Sequence, residues 1–435
     1  MNNQKDLTPR IGNYRWTIVS LVFFATTVNY LDRQVISLLK PILEKEFFWT
    51  ETDYSNVVIA FQLAYAIGLL GFGRIIDKIG TKMGYALSLT VWSFAAIGHA
   101  LAKSTFGFGV ARAALGLSEA GNFPAAVKTI AEWFPKKERA LATGIFNSGT
   151  NLGAIIAPIA VPWIAVTWGW REAFIITGAI GLTWLIFWFI FYEVPAKQKR
   201  LGKAEYDYIH SDSEETINDN TESVKWISLL GFKQTWAFII GKFLTDPIWW
   251  FLLFWLPSFL KTEYNMTGMQ VSLPLVVVYT MTCFGSIFGG WLSGHLIKKG
   301  WAVYKSRKVA MLAFALCVIP VITAQALGKI DPWIAVIVIG IAASAHQAWS
   351  ANIFTIASDM FPKKAVASVV GIGSMAGAIG GILIARIAGV LLDHYKNLGH
   401  IETGYYIMFF IAGSAYLTAW TIIHLLAPKM KQVDI

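Results

Sequence analysis

The sequence predicts an all-α membrane protein whose twelve transmembrane helices form two parallel six-helix halves. Composition, hydropathy pattern and one internal repeat lead to this prediction. Hydrophobic residues make up 56% of the 435-residue chain and charged residues only 14%, whereas an ordinary soluble domain has about 25% charged residues. A soluble chain of this composition would expose large apolar patches, but a lipid bilayer solvates apolar surface itself.

Twelve apolar windows, each about as long as a membrane-crossing helix, are separated by polar connections. They fall near residues 16–38, 54–76, 82–101, 106–128, 140–165 and 172–192, and then near 234–260, 270–297, 307–327, 332–357, 365–392 and 403–427. The polar stretch between the two sets contains SDSEETINDNTES, which is too charged and too poor in apolar residues to span a membrane or to form a core. We therefore expect an N-terminal half over residues 1–192, a linker over 193–232 and a C-terminal half over 233–435.

Lys and Arg residues concentrate in alternate loops, which is the positive-inside pattern of membrane proteins. The clusters hold Arg74, Lys78 and Lys82; Lys136, Lys137 and Arg139; Lys298, Lys299, Lys305, Arg307 and Lys308; and Lys363 and Lys364. The pattern places these loops, the linker and both termini in the cytoplasm, with the chain in an inner (plasma) membrane. It also accounts for the net charge of +10 without a nucleic-acid partner.

An internal repeat relates the two halves. The string EWFPKKERALATGIFNSG recurs 227 residues later as DMFPKKAVASVVGIGSMA, so that Pro135 matches Pro362 and Gly144 matches Gly371. Each copy is a Phe-Pro-Lys-Lys turn that leads into a Gly-rich span. The copies make the fifth and eleventh spans equivalent, and their offset of six spans, an even number, gives both the same orientation. Parallel six-span halves follow from this spacing.

Several motifs resemble one family of transporters. GRIIDKIGTKMGY, which begins at Gly73, is similar to the signature of the major facilitator superfamily between spans two and three, and GGWLSGHLIKKG in the second half keeps only part of it. NYLDRQVIS, ARAALGLSEAGNFPAA, EWFPKKERALATGIFNSG and AHQAWSANIFTIASDMFP resemble its anion:cation symporter branch, and within it the bacterial hexuronate and galactonate transporters. The resemblance covers most of the chain. It implies the major facilitator fold and a functional monomer.

Four charged residues of the first half should lie at membrane depth. Asp32 and Arg33 lie in span one, and Arg112 and Glu119 lie in span four. A charge near the centre of a spanning helix costs about 2.5–3.5 kcal/mol on insertion scales, so these residues need partners. Arg112 and Glu119 are seven residues apart, which places them on one helix face about 10 Å apart. They either line one wall of a cavity or belong to a buried network that only holds helices together.

An anionic substrate needs a cation to replace its hydration shell, and a guanidinium can grip a carboxylate with two parallel hydrogen bonds. Arg33 and Arg112 are both candidates. The resemblance makes Arg33 the leading substrate ligand and links Asp32 and Glu119 to proton coupling, although Asp32 has the alternative role of a simple partner of Arg33. A carboxyl in a low-dielectric cavity can load a proton at mild pH. Protonation of Glu119 would then free a nearby arginine for the substrate.

The remaining substrate-binding candidates are polar and aromatic residues in other spans. They are Tyr30, Tyr65, Asn147, Trp249, His346, Gln347 and Ser374. Tyrosine and amide groups can read sugar hydroxyls, or they can serve as core packing and as hydrogen bonds between helices. Trp249 follows an Asp-Pro pair that suggests a broken helix, and it is either a stacking platform or a membrane-belt residue. His346, 227 residues after Glu119, is either a proton relay or a polar contact.

The residues Gly73, Asp77, Gly80 and Lys82 belong to the signature motif between spans two and three. The resemblance implies that they form a conformational latch between the two halves rather than part of the substrate site.

No enzyme is indicated, because the chain shows no phosphate-binding loop, no metal-ligand spacing and no nucleophile signature. We expect no cofactor, with a proton gradient as the energy source and sodium as the alternative. The predicted function is proton-coupled uptake of a small sugar-acid anion, a hexuronate such as galacturonate or glucuronate. The alternatives are a transporter of galactonate, gluconate, glucarate or tartrate, an anion exchanger, and a transporter-like membrane receptor.

Overall fold

The computed structural model describes residues 11–49, 51–211, 226–266 and 269–434, and these form helices and connections without a strand. The α-helices are α1 (Tyr14–Phe47), α2 (Glu51–Ile79), α3 (Thr81–Gly98), α4 (Thr105–Glu119), α5 (Asn122–Trp133), α6 (Lys136–Thr167), α7 (Trp170–Phe191), α8 (Lys203–Ile209), α9 (Lys233–Tyr264), α10 (Met269–Lys298), α11 (Val303–Val318), α12 (Ala324–Gly328), α13 (Pro332–Met360), α14 (Lys363–Asn397) and α15 (Ile401–Leu426). Residues 212–225, which include most of the polar stretch of the predicted linker, lie outside the described residues.

Twelve helical segments match the twelve predicted windows. Ten of them contain a helix long and apolar enough to cross a membrane, and the other two are α1 and the α4–α5 pair. Both exceptions reflect their sequence, since α1 carries Asp32 and Arg33 and the fourth segment is split into helices of 15 and 12 residues. Large apolar side chains such as Ile67, Phe94 and Ile159 are exposed on the outside of the bundle, where a bilayer would cover them. The predicted all-α membrane fold is confirmed.

Glycines allow the halves to meet along two helix pairs. We call α1–α7 the N-terminal half and α9–α15 the C-terminal half; α6 packs on α10, and α2 packs on α14. A Cβ at Gly144 of α6 would overlap the Ser286 carbonyl of α10, and one at Gly371 of α14 would overlap the Leu69 carbonyl of α2. The two glycines matched by the repeat therefore serve equivalent crossings, because only glycine lets the backbones approach this closely.

The helix α9 is continuous, so the expected break at Asp246 and Pro247 is wrong. Proline removes a backbone hydrogen bond to the residue four before it, which here is Phe243. Gly380 of α14 packs directly against the Phe243 carbonyl and the Pro247 ring. Close packing by a neighbouring helix is one way in which membrane helices tolerate proline without breaking.

The first part of the linker packs against the N-terminal half. Glu205 of α8 is buried, and its carboxylate accepts hydrogen bonds from the backbone N–H groups of Tyr14 and Arg15 at 3.0 and 3.1 Å. The Arg15 guanidinium also donates to Glu205 and, at 2.9 Å, to Glu138. Glu205 thus satisfies donors at the first turn of α1, where a helix leaves its N–H groups unpaired and favours negative charge.

Candidate functional site

A polar cavity lies between the two halves, bounded by α1, α2, α5 and α6 on one side and by α9, α13 and α14 on the other. Eight of the nine predicted substrate-binding residues line it: Tyr30, Arg33, Tyr65, Asn147, Trp249, His346, Gln347 and Ser374. The tertiary structure therefore collects into one place residues that are spread over six helices. That these residues bind substrate stays a prediction.

Arg112 does not line this cavity. It is 3% exposed, donates a hydrogen bond of 3.3 Å to the Arg33 carbonyl, and its guanidinium carbon lies 4.7 Å from the Phe61 ring centroid. Arg112 instead lines a second pocket that also reaches Tyr30 and Arg33.

The Arg33 guanidinium is held between an acid and aromatic rings. Its Nε and Nη2 donate to Glu119 Oε2 at 3.1 and 2.9 Å. Its central carbon lies 4.7 Å from the Tyr30 ring centroid and 4.8 Å from that of Tyr65, which is within the range of cation–π attraction. The side chain keeps 13% of its surface exposed, and it lines the cavity. Arg33 is therefore a desolvated but reachable cation in a fixed orientation.

The two acids predicted to couple protons, Asp32 and Glu119, lie behind Arg33 rather than among the cavity-lining residues. Glu119 is fully buried, and its second oxygen, Oε1, accepts no hydrogen bond within the described part of the chain. Asp32 is 1% exposed, and neither of its oxygens accepts a hydrogen bond from the residues that the structure describes; Thr177 and the charges of Glu119 and Arg112 lie close to it. A buried carboxylate without enough donors is costly as an anion, and binding a proton removes that cost.

Polar groups of the two halves are hydrogen-bonded to each other at the cavity. Asn147 Nδ2 donates to Gln347 Oε1 at 2.7 Å and lies 3.2 Å from Ser286 Oγ, so this amide lines the cavity and also joins α6 to α13 and α10. His346 Nδ1 lies 2.6 Å from the Tyr416 hydroxyl. Both roles that the sequence left open for Asn147, site residue and contact between helices, are compatible with its position.

The aromatic ring of Trp249 and the hydroxyl of Ser374 also line the cavity. The Trp249 ring stacks on His346 with ring centroids 5.3 Å apart and an interplanar angle of 6°. The Ser374 hydroxyl has no hydrogen-bond partner among the described residues, although it lines the cavity. A ligand with hydroxyl groups can supply the missing partner.

An ion pair in the C-terminal half also lines the cavity, and the sequence prediction missed it. Lys242 Nζ lies 2.7 Å from Asp246 Oδ2, and the lysine side chain is 5% exposed. A lysine and an aspartate four residues apart inside an apolar stretch were the available signal, because that spacing puts the two side chains on one helix face.

Two of the four predicted latch residues contact the other half. Asp77 Oδ1 pairs with Lys128 Nζ at 2.8 Å, and Oδ2 accepts the backbone N–H of Ser368 of α14 at 2.7 Å. A Cβ at Gly73 would lie 2.7 Å from the Ala367 carbonyl, also on α14. These contacts join α2 to α14 at the end of the bundle that holds the α2–α3 turn and the Phe-Pro-Lys-Lys turns, which we call the basic end.

The other two latch residues act within the N-terminal half. Gly80 immediately precedes α3 and has a φ of 84°, in the left-handed region that glycine adopts without strain. Lys82 Nζ lies 2.7 Å from Glu193 Oε2, and this hydrogen bond lowers the pKa of the Glu193 carboxyl, which lies beyond the end of α7. Gly80 and Lys82 thus shape and anchor the turn, while Gly73 and Asp77 reach across.

A buried ionic cluster joins α6 and α11 to α13 at the basic end. Arg139 of α6 donates to the Ser358 carbonyl at 2.8 Å and lies 3.3 Å from Asp359 Oδ1. Arg307 of α11 donates to Asp359 Oδ2 at 3.1 Å and to the Lys136 carbonyl at 2.6 Å. The sequence pattern counted Arg139 and Arg307 as loop charges, whereas the structure buries both. The halves are therefore in contact on both sides of the basic end.

Among the described residues, a bundle of twelve helical segments, ten of them apolar enough to cross a membrane, encloses a polar cavity between its halves and is closed at one end, which defines a membrane transporter. The chain belongs to the Major Facilitator Superfamily, which matches residues 22–385.

Two sugar-acid transporters are about one-third identical to the chain. It is 33% identical over 388 residues to a hexuronate transporter of Escherichia coli (strain K12), covering 88% of this chain and 89% of that one. It is 34% identical over 313 residues to a galacturonate transporter of Dickeya chrysanthemi, covering 71% and 90%. A D-galactonate transporter of Escherichia coli O6:H1 is 25% identical over 393 residues, covering 88% and 90%.

Solved structures with the same fold are more distant in sequence. The proton:xylose symporter XylE has a TM-score of 0.75 at 14% identity, covering 96% of this chain and 97% of that one. The fucose:proton symporter FucP of E. coli has a TM-score of 0.69 at 15% identity, covering 95% and 99%. The predicted family and fold are confirmed, and because the relatives are named transporters the chain is not an enzyme. Among the described residues, no group of three or more His, Cys, Asp and Glu side chains is placed to hold a metal ion.

Proposed function

We propose that this protein is a proton-coupled symporter that takes up a sugar-acid anion, with a hexuronate such as galacturonate or glucuronate as its substrate. The observation that carries the proposal is the position of Arg33, whose guanidinium reaches the cavity on one side and Glu119 on the other. The printed names of the two relatives that are about one-third identical, a hexuronate and a galacturonate transporter, support the substrate class.

Anion recognition and coupling follow from competition for Arg33. In the structure Glu119 Oε2 accepts two hydrogen bonds from the Arg33 guanidinium, so an entering carboxylate must replace it. A proton on Glu119 removes the competing charge, and the bidentate geometry of the guanidinium then suits the substrate. Loss of the proton on the other side restores the pair with Glu119 and expels the anion. Asp32, close to Glu119 and Arg112, is the second acid through which a proton can pass.

Recognition of the sugar hydroxyls is assigned to groups of both halves. Asn147 and Tyr65 contribute from the N-terminal half, and His346, Gln347 and Ser374 from the C-terminal half. Because Asn147 already bonds Gln347 across the halves, a hydroxyl that inserts between them couples substrate shape to the distance between the halves. Trp249, stacked on His346, offers an apolar face to the sugar ring.

The transport cycle we propose is a rocking of the halves 1–192 and 233–435 around this cavity. The contacts of Gly73 and Asp77 with α14 hold the basic end closed until the proton and the substrate have bound. The basic end faces the cytoplasm in this proposal, with both termini on that side of an inner membrane. The protein works as a monomer, without a cofactor and without a nucleic-acid partner.

Uptake into proteoliposomes tests the function directly. Labelled galacturonate, glucuronate, galactonate and gluconate are offered with an inward proton gradient, an inward sodium gradient or no gradient, beside empty vesicles. We expect hexuronates to accumulate under the proton gradient and a protonophore to abolish the accumulation. Accumulation driven by the sodium gradient would identify sodium as the coupling ion, and counterflow without gradient-driven accumulation would identify an exchanger. Binding without flux would identify a receptor, and uptake of none of the four would end the sugar-acid proposal.

A further inference from the structure

A second charged pair lines the cavity opposite the Arg33–Glu119 pair. Lys242 and Asp246 lie one turn apart on α9, with Nζ and Oδ2 2.7 Å apart. The ammonium also lies 4.2 Å from the centroid of the Phe354 ring, as Arg33 lies over Tyr30 and Tyr65. Each half of the molecule therefore offers the cavity one cation, and each cation has an acid and at least one aromatic ring beside it.

A packing role alone does not account for this pair. Removing two charges from water is costly, and a buried ion pair is often no more stable than apolar residues of the same volume. In a membrane-spanning helix such residues are rare and mark substrate or ion pathways. Asp246 is held close to the bundle as well, because a Cβ at Gly377 of α14 would overlap its Oδ2 atom. The fold thus preserves space for an acid at this position.

The two pairs belong to one site rather than to two separate ones. Lys242 and Asp246 line the same cavity as Arg33. Tyr30 and Tyr65, the rings that flank Arg33, line this cavity as well. A molecule that fills this cavity therefore meets a guanidinium from α1 and an ammonium from α9.

We propose that Lys242 is a second carboxylate-binding residue with Asp246 as its exchangeable counter-ion, so that the cavity takes six-carbon sugar dicarboxylates with one carboxylate on Arg33 and the other on Lys242. This inference rests on the proposed function, because it assigns the far end of the same substrate site. The charges balance: each pair is neutral before binding, and a dianion that enters with one proton for each acid leaves the cavity neutral again. A substrate held by α1 and α9 also links the two halves, which is what closure around it requires.

The test compares galactarate, which has carboxylates at both ends, with galacturonate, which has one and the same hydroxyl configuration. In wild-type proteoliposomes both compounds are transported. The Lys242→Gln variant raises the ratio of the galactarate KM to the galacturonate KM about tenfold, since a hydrogen bond to a charged group is worth about 1.5–3 kcal/mol and 1.4 kcal/mol is a factor of ten. Lys233→Gln, at the exposed start of the same helix, leaves the ratio unchanged.

A double variant controls for loss of folding in the single variant. Lys242→Gln leaves the largely enclosed Asp246, with 18% of its side chain exposed, without its partner, whereas Lys242→Gln/Asp246→Asn removes both charges and leaves polar side chains in their place. The same rise in the KM ratio is expected in the double variant. An unchanged ratio in both variants, or a wild-type protein that transports galacturonate and rejects galactarate, would overturn the inference. Lys242-dependent binding of galactarate without proton-driven accumulation would instead contradict the coupling in the proposed function and leave this inference standing.

Discussion

Replacing Glu119 by Gln removes the counter-ion of Arg33 while it keeps an amide oxygen near the same place. The two hydrogen bonds from Arg33 to Glu119 Oε2, at 3.1 and 2.9 Å, lose their charge-assisted character. Glutamine cannot bind and release a proton at this position, so the variant is fixed in a state that resembles the protonated carrier. We expect it to exchange substrate across the membrane and to lose proton-driven accumulation.

The size of the effect follows from the burial of the pair. Removing one partner of a buried ion pair costs about 3–5 kcal/mol, and the lower end applies here because Arg33 keeps 13% of its side-chain surface exposed. Substrate binding regains part of this free energy in the variant, since the substrate carboxylate no longer has to displace Glu119. A gain of about 1.4 kcal/mol in binding free energy lowers the substrate Kd about tenfold.

The assay measures three quantities on the same preparation: proton-driven accumulation, counterflow exchange and the Kd from equilibrium binding. Glu44→Gln is the matched control, because Glu44 lies on α1 in a partly exposed pair with Lys40 and such helix pairs are worth about 0.3–0.5 kcal/mol. The reasoning is refuted if Glu119→Gln still accumulates substrate like the wild type. It is equally refuted if a folded variant that binds substrate has lost exchange together with accumulation.

Three further predictions follow from the site and the basic end. Arg33→Lys raises the uptake KM about tenfold or more, because a lysine cannot offer the guanidinium's two parallel hydrogen bonds; an unchanged KM would show that Arg33 acts only as a point charge. Asp77→Asn weakens the contacts with Lys128 and Ser368, and a cysteine placed at Ser368 in a cysteine-free background should then react about tenfold faster with a maleimide. Gly371→Val adds a Cβ against the Leu69 carbonyl at a cost of about 1–3 kcal/mol and lowers the uptake rate, whereas Gly389→Val on the same helix has nothing within 4 Å of its Cβ and keeps the rate. Equal rates in the two glycine variants would contradict the close crossing.

The fold could be predicted from the sequence in most respects, because span length and apolar composition are local properties. The second window, near 54–76, corresponds to α2 (Glu51–Ile79), and the tenth, near 332–357, to α13 (Pro332–Met360). The errors lie where packing decides the outcome. The sequence suggested a break at Pro247, but α14 packs against α9 there and the helix continues.

The site could be predicted only in part, for a related reason. Polar residues in apolar spans stand out by composition, and this singled out Arg33, Asn147 and His346. Lys242 is likewise a charged residue in an apolar span, yet the prediction used only the neighbouring Asp246-Pro247 motif and did not include the lysine. The sequence also predicted Arg112 as a substrate ligand; the structure places it in the second pocket, and no pattern in the chain gives the relative heights of side chains on different helices.

The sequence by itself determined that this chain is an all-helical membrane protein with two parallel halves, since apolar length and a repeat at a constant offset need no knowledge of contacts. Only the tertiary structure decided which charges meet. Arg33 and Glu119 are separated by 86 residues, Asp77 and Ser368 by 291, and their contacts depend on which helix faces turn toward one another. Those faces are chosen by packing, above all by the glycines at which α6 crosses α10 and α2 crosses α14, and the energy of a charge in a membrane depends on the partner that such packing brings to it.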